Sequence, residues 1–220
     1  MDLESKDPIL IDVKPGSKKL YVIFGGIAQG FGLPPFEFLK TSSMLDGSKL
    51  FIRDPSQSWY QNGLPGVADD IHGLADALKK VIGSIDHEQE VFMGNSMGGF
   101  GAILFGSMLS KGRVVAFSPQ TFITRTRRFL VRDRRWAPQI ANTYVTSKGK
   151  EHIYDLRIFL IDRGSRCRVE VHYCSEDRLD RIHADRLRGL PNIEFIDHKV
   201  GGHHLVKSLR DSGKLLEMIG

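Results

Sequence analysis

The segment Gly94-Asn95-Ser96-Met97-Gly98-Gly99 is a G-x-S-x-G set between an apolar run, Val91-Phe92-Met93, and a stretch that stays uncharged through Leu109. A nucleophilic serine needs such a setting. In a tight, strained strand-to-helix turn the neighbouring residues lie too close to backbone to carry side chains, so they must be small. The free N–H groups and dipole at the start of the following helix then favour the oxyanion formed when the serine attacks a carbonyl. A glycine-rich turn that only packs closely or binds phosphate is the alternative. GNSMGG has neither the G-x-G-x-x-G spacing of a dinucleotide loop nor the terminal Gly-Lys-Ser/Thr of a Walker loop.

A serine nucleophile requires a base, and the chain holds eight histidines. His203 and His204 follow Gly201-Gly202 just past the last β-like run, in a loop that can reach over the carboxyl edge of a parallel sheet. No cysteine or third ligand at conventional spacing accompanies them, which argues against a metal site. His203 is the preferred base, with His204 turned away or packed. The carboxylate that would orient the imidazole is sought in Ser175-Glu176-Asp177-Arg178-Leu179-Asp180, after the penultimate β-like run. Asp177, nearest the strand end, is the first choice, Asp180 the second and Glu176 the third. With no chemistry assigned, the segment is a solvated acidic loop paired with Arg178 and Arg181.

These residues must be positioned by alternating β-like and helical runs, which favour a parallel sheet wrapped by helices. The β-like runs are 19–24, ending at Gly25-Gly26, then 50–52, 91–93, 113–117, 168–173 and 193–196. The run at 168–173 alternates apolar and polar residues as an edge-proximal strand would. Apolar residues at Ile71, Leu74, Leu78, Val81, Ile82 and Ile85 have helical spacing and one apolar face. Further helices are expected over 100–109, packed in the core, over 183–190, and over 205–219 with Gly213 as its weak point.

The order serine, acid, histidine, carried by GNSMGG, CSED and GGHH, resembles that of the α/β-hydrolase superfamily over nearly the whole chain. The resemblance implies an α/β fold with a mostly parallel twisted sheet wrapped by helices. It also implies Ser96 as nucleophile, His203 as general base and then acid, and Asp177 as the residue that fixes the imidazole. The oxyanion hole would use the Met97 N–H and one from the loop after an early strand, where Gly26 is the first choice and Ile27 the next. The implied activity is cleavage of a carboxylic ester or thioester through an acyl-serine intermediate, with no cofactor or metal. Transfer to another acceptor, amide hydrolysis, or a binding protein of the same fold are the alternatives.

The rest of the chain is that of one globular domain of 220 residues, 41% hydrophobic, with 31 Lys+Arg against 26 Asp+Glu. Residues 119–166 hold eleven Lys/Arg and four Asp/Glu, so the net charge of +5 is local to a basic insert after the strand that ends at Ser118. Trp59, Tyr60, Phe122, Phe129 and Trp136 could wall an acyl pocket together with Ile27, or the aromatics could pack the insert onto the body. Arg125 and Arg128 could hold an anion, or the arginines could form a solvated face. The basic run has no recognised nucleic-acid module around it. The charged start, MDLESKDP, lacks the apolar core of a secretory signal, so a cytoplasmic enzyme is expected. The uncharged stretch 91–110 reads as a buried strand and helix in place of a membrane span. Its partner would be a small acyl ester or thioester, with neither nucleic acid nor membrane. The two cysteines, Cys167 and Cys174, have a spacing that argues against their pairing.

Overall fold

A computed structural model describes residues 7–27, 38–109, 112–164 and 166–220. Among these residues the alternating runs form seven strands: β1 (Ile9–Asp12), β2 (Lys19–Phe24), β3 (Ser48–Ile52), β4 (Gln89–Asn95), β5 (Arg113–Phe117), β6 (Arg168–Tyr173) and β7 (Ile193–Asp197). They make one sheet in the order β1-β3-β2-β4-β5-β6-β7. All neighbours are parallel except β1, which runs antiparallel to β3. This is the α/β architecture the sequence pattern implies, with β1 added at one edge.

Two apolar layers hold the sheet. Leu20, Val22 and Phe24 of β2 face one of them, together with Phe92 and Val114 and the helices α2 (Ile71–Gly83) and α3 (Met97–Leu109). Tyr21 and Ile23 face the other, with Met93, Val115 and the C-terminal helices α8 (Leu205–Asp211) and α9 (Leu215–Ile219). A parallel strand covered on both faces reads as continuously apolar, as β2 does. Helix α2 buries Ile71, Leu74, Leu78 and Ile82 on one face and is capped by Asp70, whose carboxylate accepts the Gly73 N–H at 2.7 Å. Helix α3 is buried all round from Met97 to Gly106, which explains its missing charge. No helix among the described residues is long and apolar enough to cross a membrane.

The remaining helices are α1 (Leu39–Ser42), then α4 (Arg125–Leu130), α5 (Ala137–Thr146) and α6 (Leu156–Arg163) within the basic insert, and α7 (Arg178–Asp185) between β6 and β7. Two expectations change. Helix α7 starts five residues before the expected 183–190 helix, because Asp177 caps it by accepting the Leu179 and Asp180 N–H groups. The C-terminal helical run is split into α8 and α9 at Gly213, whose φ is +75°. Strand β6 lies next to the edge strand β7, as its alternation predicts, and is buried from Val169 to Tyr173. Its polar members are paired: Glu170 takes two bonds from Arg113 at 2.8 and 2.7 Å, and His172 meets His198 at 3.0 Å. Burial pushes the Glu170 carboxyl up, but His172 and Arg113 outweigh it and bring it down to about 2. Cys167 and Cys174 flank β6 and are both buried, with Cys167 Sγ donating to Gly106 O at 2.9 Å.

Candidate active site

At the carboxyl end of β4 the chain turns directly into α3, and Ser96 occupies that turn with φ +55°. Its N–H donates to Phe117 O at 2.9 Å, which ties the turn to β5. The glycines have steric causes. A Cβ on Gly94 would lie 2.3 Å from the Gly98 carbonyl, and one on Gly98 would lie 2.2 Å from Phe24 O, both far inside contact distance. Close approach at Gly98 brings the first turn of α3 against the end of β2, beside Gly25 and Gly26. Neither the Met97 nor the Gly26 N–H donates to a protein acceptor among the described residues, and both stand at this junction.

The Ser96 hydroxyl lies 3.2 Å from His203 Nε2. His203 sits in a single 3-10 turn, Gly202–His204, entered through Gly201 and Gly202 at φ +94° and +52°, so the glycine pair supplies the left-handed backbone that swings the ring toward the serine. His204 is exposed at the start of α8. The carboxylate that meets the imidazole is Asp180, not Asp177: His203 Nδ1 is 2.8 Å from Asp180 Oδ1. Asp177 spends its Oδ1 on the α7 cap, one helical turn earlier. The first turn of α7 thus does both tasks, and Asp180 points inward at 2% exposure. With Nδ1–H directed to Asp180, Nε2 is free to accept the serine proton. Burial pushes the Asp180 carboxyl up, yet the hydrogen bond and charge of His203, then Arg135 and the Ser118 hydroxyl, hold it below the ordinary carboxylate range.

Arg135 is the residue that sequence reasoning did not single out. Its Nη1 donates to Asp180 Oδ1 at 2.8 Å and lies 3.2 Å from His203 Nδ1, while Nε and the backbone N–H bind Asp133 Oδ1 at 3.2 and 2.9 Å. Asp133 Oδ2 in turn accepts from His183 Nε2 at 3.1 Å, and His183 Nδ1 accepts the Thr121 N–H at 3.1 Å. That amide fixes the tautomer, with the proton on Nε2. Burial holds the His183 imidazole below its ordinary value, so it is neutral at pH 7. Burial also pushes Asp133 up, but His183 and Arg135 outweigh it and hold the carboxyl well below the ordinary range. A continuous hydrogen-bonded chain therefore runs from Thr121 through His183, Asp133, Arg135 and Asp180 to His203 and Ser96, buried except at the half-buried Arg135 and His203. The only sequence signal for it was the Arg-Asp-Arg-Arg cluster in the insert.

The candidate pocket residues divide. Trp59 and Tyr60 are fully buried and pack the core in place of walling an open pocket. Tyr60 packs edge-on against Phe24 and Phe105, and its hydroxyl donates to Gly25 O at 2.8 Å, bracing the Gly25-Gly26 loop from below. Asp54 holds that bracing segment by accepting the Ser58 and Tyr60 N–H groups. Arg128 is buried against Asp133 and donates to Arg135 O at 2.6 Å, so it is structural and not a ligand for an external anion. Arg125 stays exposed with its guanidinium 4.3 Å from the Tyr144 ring centre. Ile27 and Trp136 are half-buried against the core. Among the described residues no group of three or more His, Cys, Asp or Glu could hold a metal ion.

A hydroxyl bonded to an imidazole whose other nitrogen faces an ionised carboxylate is equipped for nucleophilic attack on an acyl carbonyl. No family model matches the chain, and no curated protein matches it in sequence. Solved structures do. The capsule O-acetyltransferase of Neisseria meningitidis serogroup A superposes with a TM-score of 0.65 at 15% identity, covering 96% of this chain and 91% of that one. MenH from S. aureus superposes at 0.61 and 12% identity, covering 96% of each. A lipase-esterase related protein from Clostridium acetobutylicum superposes at 0.56 and 15% identity, covering 94% of this chain and 97% of that one. Strand order, the strained serine turn and these likenesses agree that the chain has the α/β-hydrolase fold.

Proposed function

We propose that the protein is a serine enzyme that cleaves a carboxylic ester or thioester through an acyl-Ser96 intermediate. The carrying observation is the hydrogen-bonded line from Ser96 Oγ to His203 to Asp180, at 3.2 and 2.8 Å. His203 Nε2 takes the Ser96 proton as Oγ bonds to the acyl carbon. The Met97 and Gly26 amides receive the oxyanion, and His203 hands its proton to the departing alkoxide or thiolate as the old C–O or C–S bond breaks. Water deprotonated by the same imidazole then attacks the acyl carbon, releasing the acid and restoring Ser96.

A second reading, transfer of the acyl group to a hydroxyl acceptor in place of water, is favoured by the likeness to a capsule O-acetyltransferase, a protein also solved in complex with CoA. The test is labelling by a fluorophosphonate probe of the wild type and of Ser96→Ala, His203→Ala and Ser118→Ala, each checked for folding by circular dichroism. Labelling is expected to vanish in the first two variants and persist in the third. Full labelling of folded Ser96→Ala would refute the assignment. Product analysis with and without added alcohols then separates the two readings.

A further inference from the structure

The side chain of Gln120 is left unexplained by this chemistry. It is 1% exposed, and both its Nε2 and its Oε1 are buried with no hydrogen-bond partner. It is the one residue among those described whose side chain has two such atoms. Buried polar groups are nearly always bonded, and a carboxamide with two unpaired atoms makes the folded chain less stable than an apolar side chain of the same shape would. Its place is specific. Gln120 lies in the loop leaving the carboxyl end of β5, and its backbone N–H donates to Ser96 O at 3.2 Å, holding it against the serine turn. The next residue, Thr121, gives its N–H to His183 and so joins the hydrogen-bonded chain that ends at His203. Ser96 O also accepts the Phe100 N–H at 3.1 Å, so this bond fastens Gln120 to the turn that carries the nucleophile.

We infer that Gln120 is a specificity-determining residue that binds adjacent hydroxyl groups of a sugar or polyol acceptor. This rests on the Ser96 reading and gives its second form a substrate class. A carboxamide edge offers one acceptor and one donor side by side. A simple ester or thioester carbonyl can satisfy only Nε2. A trans secondary amide points its N–H and C=O in opposite directions and cannot engage both atoms at once. Two vicinal hydroxyls can, one donating to Oε1 while the other accepts from Nε2. A compound with one hydroxyl, or with two set further apart, leaves a buried polar atom unpaired, and a site of this kind discriminates strongly against such analogues.

The experiment reads binding without turnover. Saturation-transfer NMR is run on folded Ser96→Ala and on Ser96→Ala/Gln120→Met, with cis-1,2-cyclohexanediol, cis-1,3-cyclohexanediol and cyclohexanol as probes. The 1,2-diol is expected to bind the single variant at least tenfold more tightly than the other two probes, and to lose that preference in the double variant. Thermal midpoints are measured on the same pair, and Gln120→Met is expected to raise the midpoint by about 2–4 °C because an unpaired buried amide is gone. Equal binding of all three probes, a preference that survives Gln120→Met, or a fall in the midpoint overturns the inference. Because these readouts need no acyl-enzyme, absence of labelling in the folded wild type or full labelling of Ser96→Ala strikes the Ser96 reading alone, and a failed diol preference strikes Gln120 alone.

Discussion

Asp180→Asn and Asp177→Asn separate two carboxylates three residues apart that sequence position ranks in the wrong order. Asp180 Oδ1 is 2.8 Å from His203 Nδ1, and Arg135 Nη1 is 3.2 Å from the same ring nitrogen. When His203 takes the Ser96 proton it becomes a cation held between one negative and one positive neighbour. At about 4 Å between charge centres and an effective dielectric near 20, each interaction is worth about 4 kcal/mol. In the wild type the two nearly cancel. Asp180→Asn removes the attraction and keeps the repulsion, so forming the imidazolium costs about 4 kcal/mol more, a fall of about 10³-fold in kcat. Asp177→Asn keeps a side chain that caps α7 as well as aspartate does, so stability should change by less than about 0.5 kcal/mol and kcat by less than about threefold. The assay is stopped-flow release of p-nitrophenol from p-nitrophenyl acetate, with urea denaturation of each variant. A kcat for Asp180→Asn within tenfold of wild type, or a 10³-fold loss in Asp177→Asn, would show that the carboxylate behind His203 is misassigned.

Three further outcomes are expected. Arg135→Ala leaves Asp133, whose side chain is fully buried, without its closest cation, and should lower the urea-unfolding free energy by about 3–5 kcal/mol. Arg135→Lys should recover part of that loss but not the shared contact to Asp133 and Asp180, leaving kcat/KM clearly below wild type. For His183 the folded pKa lies below the unfolded value of about 6.5, so its contribution to stability is complete above that pH and declines as the pH falls below it. Unfolding free energy should drop by up to about 1.4 kcal/mol per pH unit there, a slope that His183→Gln flattens. Gly98→Ala forces a Cβ to within 2.2 Å of Phe24 O and should cost about 1–3 kcal/mol in thermal denaturation while depressing kcat, since the backbone that must yield carries Gly25 and Gly26. A variant as stable and active as wild type would refute the steric account of the turn.

What was legible in the sequence follows the range of the physics involved. Strands β2 to β7 and helix α2 were readable because their periodicity is local. The serine turn was readable because backbone approach within a few residues demands glycine. Asp180 was not ranked first because distance from a strand end measures reach, whereas the outcome depends on which carboxylate the α7 cap consumes. Capping fixes Asp177 through the Leu179 and Asp180 amides and turns Asp180 inward. In sequence Trp59 and Tyr60 fit either a pocket wall or packing, because aromatic residues in a polar loop are ambiguous until the partner is known. That partner, Gly25 O, lies 35 residues away from Tyr60. Helices α4 and α6 are obscured by their arginines, which break any apolar stripe, and α5, which has none, by burying only Ile140 and Thr143.

Those arginines change meaning once their partners are known. Arg128 and Arg135 both converge on Asp133, and Arg127 and Arg186 both converge on Asp155, whose side chain is 2% exposed. The cationic surplus of the insert is therefore partly an internal lattice in which single buried carboxylates each hold two guanidinium groups. Arg135 extends that lattice to Asp180, so the segment from Asp133 to Arg135 and the geometry of His203 are set together. A lid motion that lifted this segment would take Arg135 from Asp180 and separate Asp133 from His183, exposing or stranding several charges at once. Substrate entry that preserves the Ser96–His203–Asp180 line must leave residues 133–135 in place. The segment 133–135 is then held in place by the same ion pairs that set His203, whereas Phe129 and Leu130 at the end of α4 are exposed.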